Sequence, residues 1–153
     1  MRYRMLTDRS EIEKIILKCK VCHLAMVDPE GLPYVLPFNF GYQDGILYFH
    51  SADKGKKIGI LRNNPNVCIE FSTDYHLRFQ SEAVACSYSM NYRSVLAYGK
   101  VEFIEDPDGK AKAMDIIMRN YVAGEFTYSP PSIREISCWK VKPVRLEGKI
   151  NGY

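Results

Sequence analysis

The chain has 153 residues and a mass of 17.6 kDa, the size of one domain that can bury a core without disulfide or metal staples. Hydrophobic residues make up 46% and charged residues 25%, which excludes a disordered or fibrous chain. With 21 Lys and Arg against 18 Asp and Glu, the formal charge of +3 is too mild for the broad basic footprint of a nucleic-acid binder, so functional positive charge has to be local. The basic opening Met1-Arg2-Tyr3-Arg4 has no apolar stretch behind it, and no apolar run reaches the roughly 18 residues of a membrane span; neither export by a signal peptide nor a membrane span is expected. Five scattered cysteines, Cys19, Cys22, Cys68, Cys86 and Cys138, do not form a disulfide framework and fit a reducing cytoplasm.

No repeat, low-complexity tract or linker divides residues 1–153, so a single domain is expected. Asp8 and Glu11 stand at capping-box spacing, and Ile12, Ile15, Ile16 and Cys19 follow at helical intervals, which predicts a short amphipathic helix. The period then changes to that of strands. Cys22–Asp28 and Pro33–Tyr42, joined by the turn Asp28-Pro29-Glu30-Gly31, predict a hairpin, and Gln43-Asp44-Gly45 turns the chain into a third strand, Ile46–His50.

Residues 54–63 read as a second helix with Ile58, Ile60 and Leu61 inward, stopped by Asn63-Asn64-Pro65. Strands are expected at Val67–Ser72, near Ala83–Tyr88, and over Ser94–Glu105 with Gly99 inside it. Asp106-Pro107 opens a further helix, whose stripe of Met114, Ile117, Met118 and Tyr121 is assigned to the core. Ile136–Ile150 alternates as a final strand, with Pro143 marking a bulge or an edge. Six or seven antiparallel strands with a few peripheral helices predict a mainly β, α+β domain in the form of a small, partly open barrel.

Among the motifs, Cys19-Lys20-Val21-Cys22-His23 has the spacing of covalent haem attachment, but Cys19 falls on the apolar stripe of the first helix, so the match is read as accidental. No second ligand pair supports a zinc site, and no metal is expected. The loop His50-Ser51-Ala52-Asp53-Lys54-Gly55-Lys56-Lys57 carries more chemistry. Its lysines crowd the start of a helix, where the macrodipole disfavours cations unless an anion is present. Backbone N–H groups at Ser51 and Ala52, a hydroxyl, a glycine and ammonium groups make a phosphate cradle, with a solvated basic turn as the alternative. His50, beside the cradle, could move a proton at neutral pH or simply contact a ligand; His23 and His76 have no constellation around them. The polar and aromatic run Ser87–Ser94 could stack on or hydrogen-bond a heteroaromatic ring, and the single Trp139 reads as core or interface.

Taken in order, Pro33-Tyr34-Val35-Leu36-Pro37-Phe38-Asn39-Phe40-Gly41-Tyr42, Leu47-Tyr48-Phe49-His50-Ser51-Ala52, Gly55-Lys56-Lys57-Ile58, Leu61–Cys68 and Tyr92-Arg93-Ser94-Val95 resemble the nitroimidazole-resistance (Nim) family. That family belongs to the pyridoxamine 5′-phosphate oxidase-like, FMN-binding split-barrel proteins, and the resemblance runs from the first helix to Trp139 and Gly148-Lys149. It implies a Greek-key split β-barrel that forms a homodimer with flavin at the subunit interface. By residue-wise carry-over, Ser51, Lys56 and Lys57 would contact the FMN phosphate, and Ala52 and His50 the ribityl and ring side. The backbone of Pro37, Phe38 and Asn39 would lie along the isoalloxazine, with Tyr92 and Ser94 completing the pocket and Trp139 reaching it across the dimer. The implied activity is an FMN-dependent reduction of a small-molecule acceptor such as a 5-nitroimidazole, with His50 as proton donor or substrate contact. FAD could occupy the same loop, related barrels use haem or a deazaflavin, and the rival reading is a non-catalytic flavin or haem binder. The arginine-rich signature of true pyridoxamine phosphate oxidases is missing, which disfavours that activity.

Overall fold

A computed structural model describes residues 3–153; Met1 and Arg2 of the basic opening lie outside them. Among the described residues there are nine strands and four α-helices. They are β1 (Tyr3–Leu6), α1 (Arg9–Lys18), β2 (Cys22–Val27), β3 (Pro33–Phe38), β4 (Gly41–Gln43), β5 (Ile46–Ala52), α2 (Lys56–Asn63), β6 (Asn66–Arg78), β7 (Ser89–Ile104), α3 (Pro107–Arg119), α4 (Pro130–Arg134), β8 (Ile136–Val141) and β9 (Arg145–Asn151). The strands are antiparallel, in the order β3-β2-β6-β7-β8-β5-β4. β7 is long enough to serve two partners: Tyr92–Tyr98 pairs with β9, and Val101–Ile104 with β8. This fork splits the barrel.

The first and last strands of that order, β3 and β4, are consecutive in the chain. The expected single strand Pro33–Tyr42 is therefore two, broken at Asn39 and Phe40 where the chain passes from one edge of the sheet to the other. The crossing is held by α3 and the residues after it. The Phe40 N–H donates to the Tyr121 hydroxyl at 2.9 Å, that hydroxyl donates to the Lys20 carbonyl at 2.8 Å, and Asn120 Nδ2 donates to the Phe40 carbonyl at 3.1 Å. A β-carbon on Gly41 would stand 2.7 Å from the Ile117 backbone nitrogen, so only glycine lets the helix lie this close.

The helix starts follow their caps. Asp8 accepts from the Ser10 N–H at 2.7 Å and Asp106 from the Gly109 N–H at 2.7 Å, each satisfying a donor the helix leaves free. Ile12, Ile15 and Ile16 are buried, as are Ile58, Ile60 and Leu61. On α3, in contrast, Ala113 and Ile117 are the fully buried residues, while Met114, Met118 and Tyr121 are half-buried, because the outer layer of the fold is only one helix thick.

Other boundaries move for tertiary reasons. The strand expected near Ala83–Tyr88 is a 3-10 turn, Ala85–Ser87, at the tip of a β6–β7 hairpin that runs longer on both sides than local alternation shows. The final segment is two strands, with Pro143 in the loop between them, and β1 was not expected at all. It exists because β9 offers it a partner, from Tyr3↔Asn151 to Leu6↔Gly148.

Aromatic rings fill the barrel. Trp139 is fully buried, stacked on Phe49 with centroids 5.9 Å apart and edge-on to Phe38 at 5.5 Å. The expectation that Trp139 reaches a pocket across a dimer is thereby corrected: on β8 its alternation places it opposite Phe49 on the inward face, and the ring is enclosed by its own chain.

Gly-to-Ala changes usually stabilise by shrinking the freedom of the unfolded chain. Gly41→Ala should do the opposite, costing about 2 kcal/mol because backbone atoms of α3 cannot give way, which thermal unfolding will read as a midpoint several degrees lower.

Candidate functional site

The side chains of β5 alternate: Leu47 and Phe49 enter the core, whereas Tyr48 and His50 lie on the other face, over which α3 packs. β4 pairs with β5 only as far as Tyr48, while β8 accompanies it to Ala52. From Phe49 to Ala52, β5 therefore has one free edge, where alternate N–H and C=O groups lack a strand partner. The Ser51 hydroxyl donates to the Ala52 carbonyl at 2.8 Å and shares this edge.

Beyond it, Asp53 and Lys54 lead to Gly55, whose φ of 111° is open to glycine and strained for other residues. Gly55 caps α2 without a side chain; no acidic residue stands in the first turn, and Lys56 and Lys57 occupy it. Their N–H groups have no helical carbonyl to meet. Among the described residues, Lys54, Lys56 and Lys57 enter no ion pair. Lys56 Nζ sits 4.7 Å from the centroid of Tyr34, and it lines a cleft of about 380 Å³ with Asp28, Pro29, Glu30, Gly59 and Ile60. Such a turn holds positive charge and free donors in one place, the requirements for a phosphate.

β3 adjoins this turn. It is an edge strand bonded only to β2, which is why Pro33 and Pro37 are tolerated in it. The Phe38 and Phe49 rings are 6.0 Å apart, so the end of β3 lies beside the open stretch of β5. Pro37 and Asn39 are exposed and the Phe38 side chain is buried; Phe38 can therefore offer a ligand only its backbone. The structure thus sets the end of β3 beside Phe49 of β5 and Lys56 over Tyr34 near the start of β3.

Tyr92 and Ser94 are not with them. They stand on β7, three strands from β3 in the order β3-β2-β6-β7, or about 14 Å across the sheet at the usual strand spacing. Lys149, opposite Ser94 on β9, has its ammonium 5.7 Å from the Tyr92 ring. Sequence reading missed Lys149 and Tyr34 as neighbours of the candidate residues, since Tyr34 shows only the alternation of a packed strand residue.

His50 is half-buried, and its Nδ1 is enclosed without a hydrogen-bond partner. Burial lowers its pKa below the ordinary 6.5, so the ring is neutral at pH 7. Its face of β5 is opposite to that of Ser51, so the two side chains cannot converge from one side.

The Cys19–His23 motif is structural. Both thiols are buried and donate to carbonyls, Cys19 to Ser72 at 3.5 Å and Cys22 to Phe38 at 3.6 Å. Burial pushes the Cys19 pKa up to about 11 and that of Cys22 higher still. His23 turns to the other face of β2, with Nδ1 3.2 Å from the Glu70 carboxylate. Among the described residues no group of three or more His, Cys, Asp or Glu side chains is placed to hold a metal ion, and no helix is long and apolar enough to cross a membrane.

A nine-stranded antiparallel split barrel whose second helix starts on an uncapped, lysine-rich turn defines the class of fold. Comparison with known proteins gives the class its family: residues 8–150 match the model described as pyridoxamine 5′-phosphate oxidase, and the chain belongs to that family. It is similar to a protein of Bacteroides thetaiotaomicron VPI-5482 provisionally described as a 5-nitroimidazole antibiotic resistance protein. The identity is 45%, with 97% of this chain and 87% of that one covered and a TM-score of 0.88.

The fold recurs in the flavocytochrome Anf3 of Azotobacter vinelandii, at 19% identity, 97% and 70% coverage and a TM-score of 0.85. It recurs also in an FAD- and haem-binding protein of Mycobacterium smegmatis, at 17% identity, 97% and 74% coverage and a TM-score of 0.86. No curated protein matches the chain.

The depressed pKa of His50 has a consequence for stability. Above pH 6.5 the ring is neutral in both states; as pH falls from 6.5 through the folded-state pKa, the unfolded chain takes up a proton that the folded one refuses, and stability is lost. Urea midpoints at pH 7 and pH 5 should therefore differ less in His50→Asn than in the wild type.

Proposed function

We propose that the protein binds flavin mononucleotide between two copies of the chain and reduces a small nitroheteroaromatic acceptor. The observation that carries this is the start of α2: unpaired lysines and free N–H groups on an uncapped turn, beside the open edge of β5. An FMN phosphate would supply the anion that this turn lacks. FAD would meet the same turn through its diphosphate, so the nucleotide is decided by experiment. When bound, the flavin supplies reversible electron storage and delivers electrons to the acceptor.

The chain's own contribution is placement. Ser51, Lys56 and Lys57 hold the phosphate end, Ala52 and His50 line the next stretch, and the backbone of Pro37, Phe38 and Asn39 meets the polar edge of the ring. The neutral His50, whose Nδ1 is enclosed, would meet the acceptor through its other ring nitrogen as a hydrogen-bonding group. Tyr92 and Ser94 stand three strands from β3 within one chain, so this reading places them in the pocket of a second copy, in a homodimer. Family membership and the 45% identical neighbour support the chemistry.

Absorbance of the purified protein, before and after anaerobic mixing with NADH, NADPH and a 5-nitroimidazole, tests the reading. Flavin bands that bleach with a donor and return with the nitro compound are expected. Bound flavin that never cycles would make the protein a flavin carrier, and a Soret band would replace flavin with haem. Lys56→Ala combined with Lys57→Ala should weaken FMN binding by about 2 kcal/mol or more, read by fluorescence titration, whereas His50→Ala should keep the flavin and lose turnover.

A further inference from the structure

One face of α3 borders a second cleft, of about 440 Å³, that runs between the helix and residues of β4, β5, β7 and β8. The volume lies in the range of small-molecule sites. None of the residues His50–Lys57 lines it, so it is a place apart from the basic turn before α2. Helical period makes one wall: Lys112, Asp115, Ile116 and Arg119 recur at three- and four-residue intervals and share a face. Strand pairing makes the other, where Tyr48 of β5 stands beside Lys140 of β8.

The charges on the helical wall are not matched to one another. Among the described residues neither Lys112 nor Arg119 enters an ion pair. Arg119 Nη1 donates to the Gln43 side-chain oxygen at 2.9 Å, a neutral partner that fixes the guanidinium across the cleft and leaves its Nε–Nη2 edge for another acceptor. The carboxylates in the lining are engaged elsewhere. Asp106 accepts from the Gly109 N–H at 2.7 Å as the helix cap, and Asp115 accepts from the Tyr128 hydroxyl at 2.9 Å, although Asp115 stands one turn from both Lys112 and Arg119. Lys140 has a carboxylate partner in Glu102, at 3.6 Å.

We propose that this cleft binds a flat organic monocarboxylate, with the acid group on the Arg119 fork and the body lying toward Tyr48, Ile104 and Ile116. The free edge of the guanidinium matches the two oxygens of a carboxylate, and a tyrosine ring with two isoleucines suits a planar apolar body. Lys112, two turns from Arg119 and so about 10 Å away along the axis, adds attraction without contact.

Charge sets both the class and the direction of the ligand. A dianion such as phosphate would meet Asp106 and Asp115 on the same wall, where like charges repel; a single negative charge with an apolar body is the better match. Past Asp115 and Arg119 the surface dips again, by about 360 Å³, beside Gly124, Glu125 and Phe126. The Glu125 carboxylate makes that side unfavourable for an anion, which leaves the Tyr48 side. The site stands whether or not the cradle holds a flavin.

Titration of the isotope-labelled full chain with sodium benzoate, followed by amide NMR, tests the proposal. The amides of Gln43, Tyr48 and Lys112–Arg119 should shift saturably, and those of Ser51–Lys57 should stay still. Benzamide, the neutral analogue, should bind about tenfold more weakly or worse, and inorganic phosphate more weakly than benzoate. Arg119→Gln should weaken benzoate by about tenfold, Arg119→Lys, which keeps the charge and loses the fork, should fall between that variant and the wild type, and Lys112→Gln should lose less than Arg119→Gln.

Benzoate shifts that never saturate, or that centre on Ser51–Lys57, would overturn the site. So would benzamide binding as well as benzoate, phosphate binding more tightly, or an Arg119→Gln variant of wild-type affinity. Amide spectra away from the cleft report whether each variant is folded. Should Arg119→Gln unfold, Gln43→Ala, which releases the guanidinium, is read in its place and should also weaken benzoate; unchanged affinity in that variant would count equally against the site.

Discussion

The architecture depends on one crossing of the chain, at Asn39 and Phe40. Here the backbone leaves β3 on one edge of the sheet and enters β4 on the other, and both polar groups of Phe40 are bonded to residues just past α3, through Tyr121 and Asn120. A crossing of this kind buries backbone that neither strand can satisfy, so without these partners it would cost several unmade hydrogen bonds. With them, the barrel closes, Phe38 meets Phe49 and Trp139, and the end of β3 is brought beside the open stretch of β5. Gly41 lets α3 lie against the crossing; the candidate site is a consequence of that contact.

Electrostatics at the site follow from what the fold leaves uncompensated. Ion pairs elsewhere are local: Arg93 and Lys18 both hold Asp74, lowering its pKa, and Arg62 holds Glu105. At the start of α2, by contrast, positive side chains, a positive helix end and free N–H groups coincide. Such a turn is unfavourable for folding and favourable for binding, since the same groups that repel one another attract a phosphate. His50 is governed by the opposite effect. Burial without a partner holds it neutral, which makes it a hydrogen-bonding group rather than a second cation beside the lysines.

Much of this was legible in the residues. The caps at Asp8 and Asp106, the buried Ile58, Ile60 and Leu61, and the basic, uncapped start of α2 all follow from spacing within a few residues, where local backbone geometry decides. The motif order carried the family, which the match over residues 8–150 bears out. What failed were features set by distant partners. β1 forms because β9 is there to pair with it, and the break in Pro33–Tyr42 comes from the barrel closing. Trp139 is core because Phe49 lies opposite, although one tryptophan on an alternating strand reads equally well as interface.

The sequence by itself therefore determined the class of fold, the positions of α1, α2 and α3 and the charge of the loop before α2, but not α4, because periodicity, capping and charge act over one or two turns of chain. Only the tertiary structure decided which edge strands meet, that the end of β3 lies beside Phe49 of β5 while Tyr92 and Ser94 stand three strands from β3, and that the β6–β7 hairpin is apolar on one face. Those depend on register and on a bulge at Asp74, and a shift of one residue in either would exchange the two faces of a strand.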